Sequence, residues 1–504
     1  MRLSHLFIGA SLAALSVPLM AQTTATSPAP AQEAPAPTMT LRDAMVSAYA
    51  TNPDLAAERA NLRATDEGVP IARSSGLPGV TSTGGISQGL YDTDRGLGPT
   101  RRGSLGVDLS VPVYSGGSVR NSVRGAETRV EAGRAALRAA EAELFVQVVT
   151  VYVDVIRDEA IVRLNQQNVR VLEVNLQATR DRFEVGDLTR TDVAQSEARL
   201  ALAQSQLRSA EARLIGSREN FIRVVGIAPG ILAPPPPLPG LPGSVREAEE
   251  IALANNPNLL AAQKNRDAAG FDVNVARAGR LPRVSVGVGG DYYNYLGSVG
   301  SQAAALGTNS DGFATTLGLQ VSIPLFQGGR PAAQVRQAQA RRSAAMENVT
   351  FSERAVIAQT RSQFASYQSS LRVIESSRVA VEANRLSLEG VRAENSVGTR
   401  TILDILNAEQ EFLNSQVQYV TAERDAYVAG FTLLAVMGRA EAEDLGLDGG
   451  PLYNPVDNYN RVRGSWSDWS DGPDATTTGT RTNETPYQTP EVTPGVDPLL
   501  KRPD

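Results

Sequence analysis

LGVDLSVPVYSGG, at residues 105–117, returns as LGLQVSIPLFQGG at residues 317–329. In both segments apolar side chains alternate with glycine, polar residues or proline, which is the two-residue period of a β-strand. The two glycines that end each segment favour a turn out of the strand. The pattern therefore predicts a strand that gives way at once to another element, twice in one chain.

Each of these strands has an alternating partner upstream, around residues 80–91 and 284–293. We therefore predict two β-hairpins, at about residues 79–115 and 283–327. Strands of about ten residues are long enough to cross a bilayer at a tilt. Four strands cannot close a barrel, and an open edge in lipid leaves backbone groups unpaired at a high cost. Several copies must then associate, and the strand number alone leaves two or three copies open.

Downstream of the first strand the apolar period changes to seven, which is the spacing of a coiled coil. The apolar positions include Val123, Val130, Leu137, Leu144 and Val151. No proline interrupts residues 117–185, so a helix of about 100 Å is predicted at 1.5 Å per residue. The chain is predicted to reverse at residues 185–186 and 397–398, and after each reversal a second helix with the same seven-residue spacing follows. This predicts long helical hairpins at about residues 117–227 and 330–438.

The two halves of the chain are copies of one unit, since Asn52-Pro53 recurs as Asn256-Pro257 in the same relation to the strands. A Pro-rich stretch between the copies favours an extended connector without a helix. We predict a signal peptide at residues 1–21, a flexible segment at 22–39, a first repeat at 40–227, a linker at 228–243, a second repeat at 244–446 and a disordered tail at 447–504.

The composition argues against several classes of function. The chain has no cysteine, and its one histidine, His5, lies in the predicted signal peptide. Most catalytic triads and transition-metal sites need those side chains, so we expect no enzyme, no metal site and no cofactor. A net charge of −6 argues against a nucleic-acid partner.

Over residues 41–446 the sequence resembles the TolC-type outer-membrane efflux family. The resemblance lies in the tandem repeat, the two Asn-Pro pairs, Pro-x-Tyr/Phe-x-Gly-Gly at Pro112 and Pro324, and VGTRTILDILNAEQ from Val397. It implies an α+β membrane protein in which four strands per chain complete a trimeric, 12-stranded barrel in outer-membrane lipid. A long α-helical coiled-coil tunnel would continue the barrel through the periplasm.

The resemblance also implies a passive exit duct of an efflux or type I secretion system. Its partners would be two further copies of the chain, a periplasmic adaptor (membrane fusion) protein and an inner-membrane transporter. That transporter would be a proton-driven exporter of the RND class or an ATP-driven ABC transporter. The adaptor and the transporter would open the periplasmic end.

Family-matched positions suggest how that end closes. Arg400 would bond to Asp192 and to the neighbourhood of Thr191 in the other helical hairpin. Asn395 stands where a tyrosine of the family helps to hold the tip closed, so we expect a looser closed state. An arginine–carboxylate pair suits such a contact because it is directional and charge-assisted.

The same resemblance assigns the narrowest part of the tunnel and the adaptor contact. Asp404 would form a ring of three carboxylates that attracts cations. Asn407 replaces a second aspartate of the family, so a single charged ring is expected. The adaptor would meet the reversal residues Val185, Gly186, Val397 and Gly398.

Two other readings compete with a channel. A periplasmic coiled-coil scaffold or adaptor without a pore would explain the helical hairpins, but it would not need a strand pair of membrane length before each one. An enzyme carried on an outer-membrane barrel would need a clustered catalytic set. The sequence offers none, so the channel is the favoured interpretation.

Overall fold

A computed structural model of the chain describes residues 38–90, 101–299, 307, 309–447, 452–472 and 474–492. The predicted signal peptide at residues 1–21 lies outside these residues, as does the flexible segment up to residue 37. None of the helices within the described ranges has both the length and the apolar character that crossing a membrane requires.

The predicted mixture of four long strands and two long helical hairpins, arranged as a tandem repeat, is confirmed. In the first repeat the elements are α1 Leu41–Thr51, α2 Pro53–Asp66, α3 Gly68–Ser74, β2 Gly79–Gln88, β3 Arg101–Tyr114, α4 Ser118–Glu184 and α5 Arg190–Val225. In the second they are α6 Val245–Asn255, α7 Pro257–Ala278, β5 Arg283–Asn294, β6 Asp311–Ser322, α8 Arg330–Ser396 and α9 Ile402–Val436. Short strands β1 Thr38–Met39 and β4 Ile231–Leu232 precede the first and second repeats, and α10 Asp457–Val462 follows the second.

The four long strands form one antiparallel sheet in the order β2-β3-β5-β6, so β3 and β5 join the two repeats. Opposite pairs run from Gly103 and Asn294 to a shift in register between Pro112 and Tyr114. Proline has no N–H to donate to a ladder, which suits an irregularity there. Among the residues that the structure describes, no strand pairs with the outer edges of β2 and β6.

The repeated Asn-Pro pair has a structural role. Asn52 and Asn256 cap α2 and α7, each accepting the backbone N–H groups of the first turn, and the proline occupies the first helical turn. Each amide nitrogen also donates to a carbonyl at the end of a long helix, Val224 at 3.1 Å and Val436 at 2.8 Å. The motif therefore ties the short helices of each repeat to its long hairpin.

The main core lies where the short helices and the linker surround α4, α5 and α9. Phe145, Tyr152 and Phe221 are fully buried there. The Tyr152 hydroxyl lies 2.6 Å from the Ala233 carbonyl oxygen and 3.0 Å from that of Met39. Residues 38–39, assigned to the flexible segment from sequence, are instead ordered because they pair in parallel with Ile231–Leu232 of the linker.

The sequence predicted that residues 447–504 form a disordered tail. In the structure the described part of this tail, residues 452–472 and 474–492, packs back onto the first repeat. Asn458 donates to the buried Asp66 at 2.8 Å, and the Arg59 guanidinium stacks on the Tyr453 ring. Further along, Arg218 donates to the Thr489 carbonyl at 2.5 Å. These contacts are polar or aromatic and widely spaced, so they leave no apolar period for sequence analysis to detect.

Candidate functional site at the helical tips

The two helical hairpins reverse in matching loops at residues 185–189 and 397–401. Val185 and Val397 end the long helices and are 80% and 74% exposed. The glycine that follows each valine has a positive φ, +83° at Gly186 and +84° at Gly398, with open space around it. Two exposed apolar side chains on tight turns thus stand at the ends of the hairpins, where the adaptor contact was predicted.

Asp192 and Asp404 occupy equivalent positions, as the third residue of α5 and α9. Oδ2 of Asp404 accepts the Thr401 N–H at 2.9 Å and the Thr401 hydroxyl at 2.8 Å. Asp192 does the same with Thr189, at 2.9 and 2.7 Å. In return each threonine hydroxyl accepts the N–H of the aspartate, which completes a capping box.

These caps also hold both carboxylates in the charged form. Hydrogen bonds from the backbone and side chain of Thr401 lower the pKa of Asp404. Those from the side chain and backbone of Thr189 lower the pKa of Asp192. In both caps only Oδ2 takes part, which leaves Oδ1 of each aspartate to meet another group.

Arg400 and Asp192 are not brought together within one chain. The Arg400 guanidinium donates to Glu394 at 2.7 Å, in its own hairpin, and this ion pair raises the pKa of Arg400. Asn395 donates to the Arg400 carbonyl at 2.8 Å. Thr191 is exposed. Arg400 and Asn395 therefore stabilise the second tip in the single chain, whereas Asp192 caps the first, and Glu394 is a partner that sequence analysis missed.

A polar contact joins the two hairpins close to the tips. Arg199 of α5 donates to the Asn407 side-chain oxygen of α9 at 2.6 Å. Arg199 lies seven residues after Asp192, two helical turns on, and therefore on the same face of α5. This seven-residue spacing from Asp192 is the sequence feature that could have identified Arg199. Asn407, predicted to line the constriction, is thus also an inter-hairpin contact.

A second pair of matching contacts lies at a similar distance from the tips and holds each hairpin to itself. Arg180 pairs with Glu197 at 2.7 Å, both half-exposed, in the first hairpin. In the second, Arg392 pairs with Glu409, whose side chain is buried. Each hairpin is therefore held together by its own ion pair near the tip, and the Arg199–Asn407 bond is a polar link between the two hairpins.

The chain matches known proteins over most of its length. The family model described as "Outer membrane efflux protein" matches residues 44–226 and 250–439. The outer membrane efflux protein BepC of Brucella suis biovar 1 is 33% identical over 85% of this chain and 91% of its own. Outer membrane protein TolC of Vibrio cholerae is 25% identical over 78% of this chain and 89% of its own.

A solved structure has the same fold. The outer membrane protein VceC of Vibrio cholerae superposes with a TM-score of 0.68, at 20% identity, over 79% of this chain and 96% of its own. At this level of identity the likeness supports the fold alone. The long strands and both helical hairpins are thus an arrangement already observed in an outer-membrane protein.

Proposed function

The chain belongs to the outer membrane efflux protein family, and from this premise we propose that three copies of it form a passive exit duct. The family resemblance drawn from the sequence is confirmed. The protein is located in the outer membrane and extends into the periplasm. The family consists of channel proteins rather than enzymes, and the duct we propose has no catalytic activity of its own.

The observation that carries the proposal is the incomplete sheet. No described strand of the chain pairs with the outer edges of β2 and β6, and unpaired backbone groups are costly in lipid. Three copies joined edge to edge supply twelve strands and leave no edge. Side chains such as Ile86, Phe313 and Leu317, which are 77%, 71% and 77% exposed on the sheet, suit contact with lipid or with a neighbouring copy.

The helices support a tunnel in the same way. α4 and α8 each have 67 residues, which corresponds to about 100 Å. α8 exposes apolar side chains along that length, among them Phe351 at 74%, Val379 at 60% and Leu386 at 66%. Neighbouring copies would bury these side chains when three pairs of hairpins close into a tube.

We further propose that the tips close this tube. Oδ1 of Asp192 is available to Arg400 of a neighbouring hairpin, next to Thr191, once Arg400 exchanges its bond to Glu394. Asn395 cannot supply the aromatic contact of the family, and its bond to the Arg400 carbonyl only fixes the loop. The Arg199–Asn407 bond adds a link within each copy.

The constriction and the adaptor contact are assigned in the same proposed trimer. Asp404 from three copies would form a ring of carboxylates at the narrowest part, with the uncharged Asn407 one turn later. Val185, Gly186, Val397 and Gly398 would meet a periplasmic adaptor protein. An inner-membrane RND or ABC transporter would supply the energy, in an efflux or type I secretion system.

Labelling of single cysteines tests the duct directly, because the chain has no cysteine of its own. Leu90 lies 87% exposed just beyond β2, and Val185 lies at the far end of α4. A membrane-impermeant maleimide should label Leu90→Cys in intact cells, and should label Val185→Cys only after the outer membrane is permeabilised. The detergent-extracted protein should have three times the mass of one chain.

The two variants control for each other, since both side chains are exposed to a similar extent. If intact cells leave Leu90→Cys unlabelled while permeabilised cells label both, the strands do not cross the outer membrane. The protein would then be a periplasmic scaffold or adaptor, and the duct would be excluded.

A further inference from the structure

An arginine-rich cleft of about 610 Å³ lies at the junction between the sheet and the helices. It is formed by α3, by the first turns of α4 and by the end of α10 in the tail. We call it the arginine cleft. Its polar lining consists of Arg73, Arg120, Arg124, Glu127, Tyr459 and Arg463. All four arginines are exposed.

The cleft lies close to the end of the transmembrane sheet. α4 begins four residues after β3 ends at Tyr114, and Arg120 and Arg124 are its third and seventh residues. At 1.5 Å per residue these two side chains start about 3 and 9 Å along the helix. The polar headgroup layer of a bilayer extends roughly 5–8 Å beyond the hydrocarbon on each side. The arginines are therefore at the depth of lipid headgroups on the periplasmic side.

The charges in the cleft are not balanced by the chain itself. Four guanidinium groups face one carboxylate, that of Glu127, and no ion pair joins that carboxylate to any of them among the described contacts. Arg73 uses one nitrogen to donate to the Arg463 carbonyl at 3.2 Å. The lining of the cleft therefore has an excess of positive charge and of N–H donors.

Arginines at the start of α4 destabilise the helix locally. The N-terminus of a helix carries a partial positive charge and favours acidic residues, yet the first turn of α4 has none and contains Arg120. The equivalent helix α8 also begins without an acidic residue and has Arg330 and Arg336 exposed. An anion that sits at this level would offset both the helix dipoles and the arginine charges.

The tail completes the cleft. Arg463 and Tyr459 belong to the end of the chain, and the Tyr459 ring packs against the guanidinium groups of Arg134 and Arg463 at 5.0 and 5.7 Å. The docked tail thus adds a cation and an aromatic wall to a site whose other half is on α3 and α4. A polar cleft with an aromatic wall suits a ligand that has a charged head and a less polar glycerol part.

We propose that the arginine cleft binds the phosphodiester headgroup of a phospholipid in the periplasm-facing leaflet of the outer membrane. The assignment rests on the proposed function, because it takes the sheet to lie in that membrane. Arginine pairs with phosphate oxygens through two parallel N–H bonds, and two or more guanidinium groups can share one phosphate. The bound lipid would fix the depth of the sheet–helix junction.

Native mass spectrometry of the purified trimer tests the proposal by counting bound lipids during titration with phosphatidylglycerol. Arg120→Gln and Arg124→Gln should each lower the affinity about fivefold, since a basic side chain near an anionic membrane surface has an effect of that order. Arg170→Gln is the matched control: an exposed arginine on the same helix, about 75 Å farther along. It should leave the affinity unchanged.

One further ligand identifies the source of the phosphate. Glycerol 3-phosphate alone should bind much more weakly than the lipid, whereas equal binding with the same arginine dependence would mean a soluble phosphate site and overturn the proposal. Equal lipid counts in the Arg120, Arg124 and Arg170 variants would also overturn it. The same spectra also give the mass of the trimer. If the proposed duct does not form, no trimer is detected, whereas a trimer whose lipid binding does not depend on Arg120 and Arg124 contradicts only the lipid site.

Discussion

Gly438→Ala is expected to remove most of the folded protein from the outer membrane. Gly438 follows α9 with φ of +70°, and an added Cβ would lie 2.5 Å from the Asn255 carbonyl oxygen and 2.8 Å from its carbonyl carbon. The left-handed conformation alone costs a non-glycine residue roughly 1–2 kcal/mol. The contact is with backbone that cannot rotate away, so we expect a total loss of about 3 kcal/mol or more. Outer-membrane protein levels and the thermal unfolding midpoint measure the effect.

Two other glycines control for the backbone conformation. Gly226 holds the equivalent place in the first repeat, but there the Cβ would meet the side-chain hydroxyls of Thr51 and Thr480, which can move. Gly186 has a similar φ and nothing within 4 Å. The expected order of damage is Gly438, then Gly226, then Gly186. Equal effects at all three positions would mean that conformational strain, rather than the close packing of Gly438 against the backbone at the end of α6, sets the cost.

Asp404→Asn should abolish most of the cation selectivity of the channel. Three carboxylates around a narrow passage concentrate cations, and fields of this kind change local ion concentrations by about tenfold or more. Because the Thr401 bonds lower the pKa of Asp404, wild-type selectivity should persist in mildly acidic solution. Reversal potentials in a salt gradient across a planar bilayer give the permeability ratio of cation to anion.

Asp192→Asn is the matched control for that experiment. Both aspartates complete a capping box at the start of a returning helix, so each substitution weakens a helix cap by a similar amount, and Asp192→Asn in addition weakens the proposed bond to Arg400. Selectivity should fall in the Asp404 variant and stay near the wild-type value in the Asp192 variant. A similar loss in both would assign the effect to a loosened tip and not to a ring of charge in the passage.

Sequence analysis identified the regular elements because their periods are long and uninterrupted. The heptads from Val123 predicted α4, and the alternation from Leu105 predicted β3, each close to its observed bounds. The matching glycines at the reversals located the tips. These features depend only on the spacing of residues along the chain, which can be read from a single sequence.

The contacts that depend on how helices face each other were not predictable in this way. Glu394, rather than Asp192, holds Arg400 in the single chain, and Arg199 reaches Asn407 across the hairpins. A long arginine side chain can choose among several acceptors within reach, and sequence spacing does not rank them. The packed tail was missed for a related reason, since Tyr453 and Asn458 dock singly and form no periodic face.

The central claim is that the chain forms a pore whose periplasmic end is held closed by contacts between the hairpins. Single-channel conductance of the purified trimer in planar bilayers tests it most directly, with the wild type compared with Arg199→Ala and Arg400→Ser. We expect small currents from the wild type and currents several times larger from both variants, because each loses a contact that narrows the tip. Trimers that carry no current in any of the three proteins would contradict the claim.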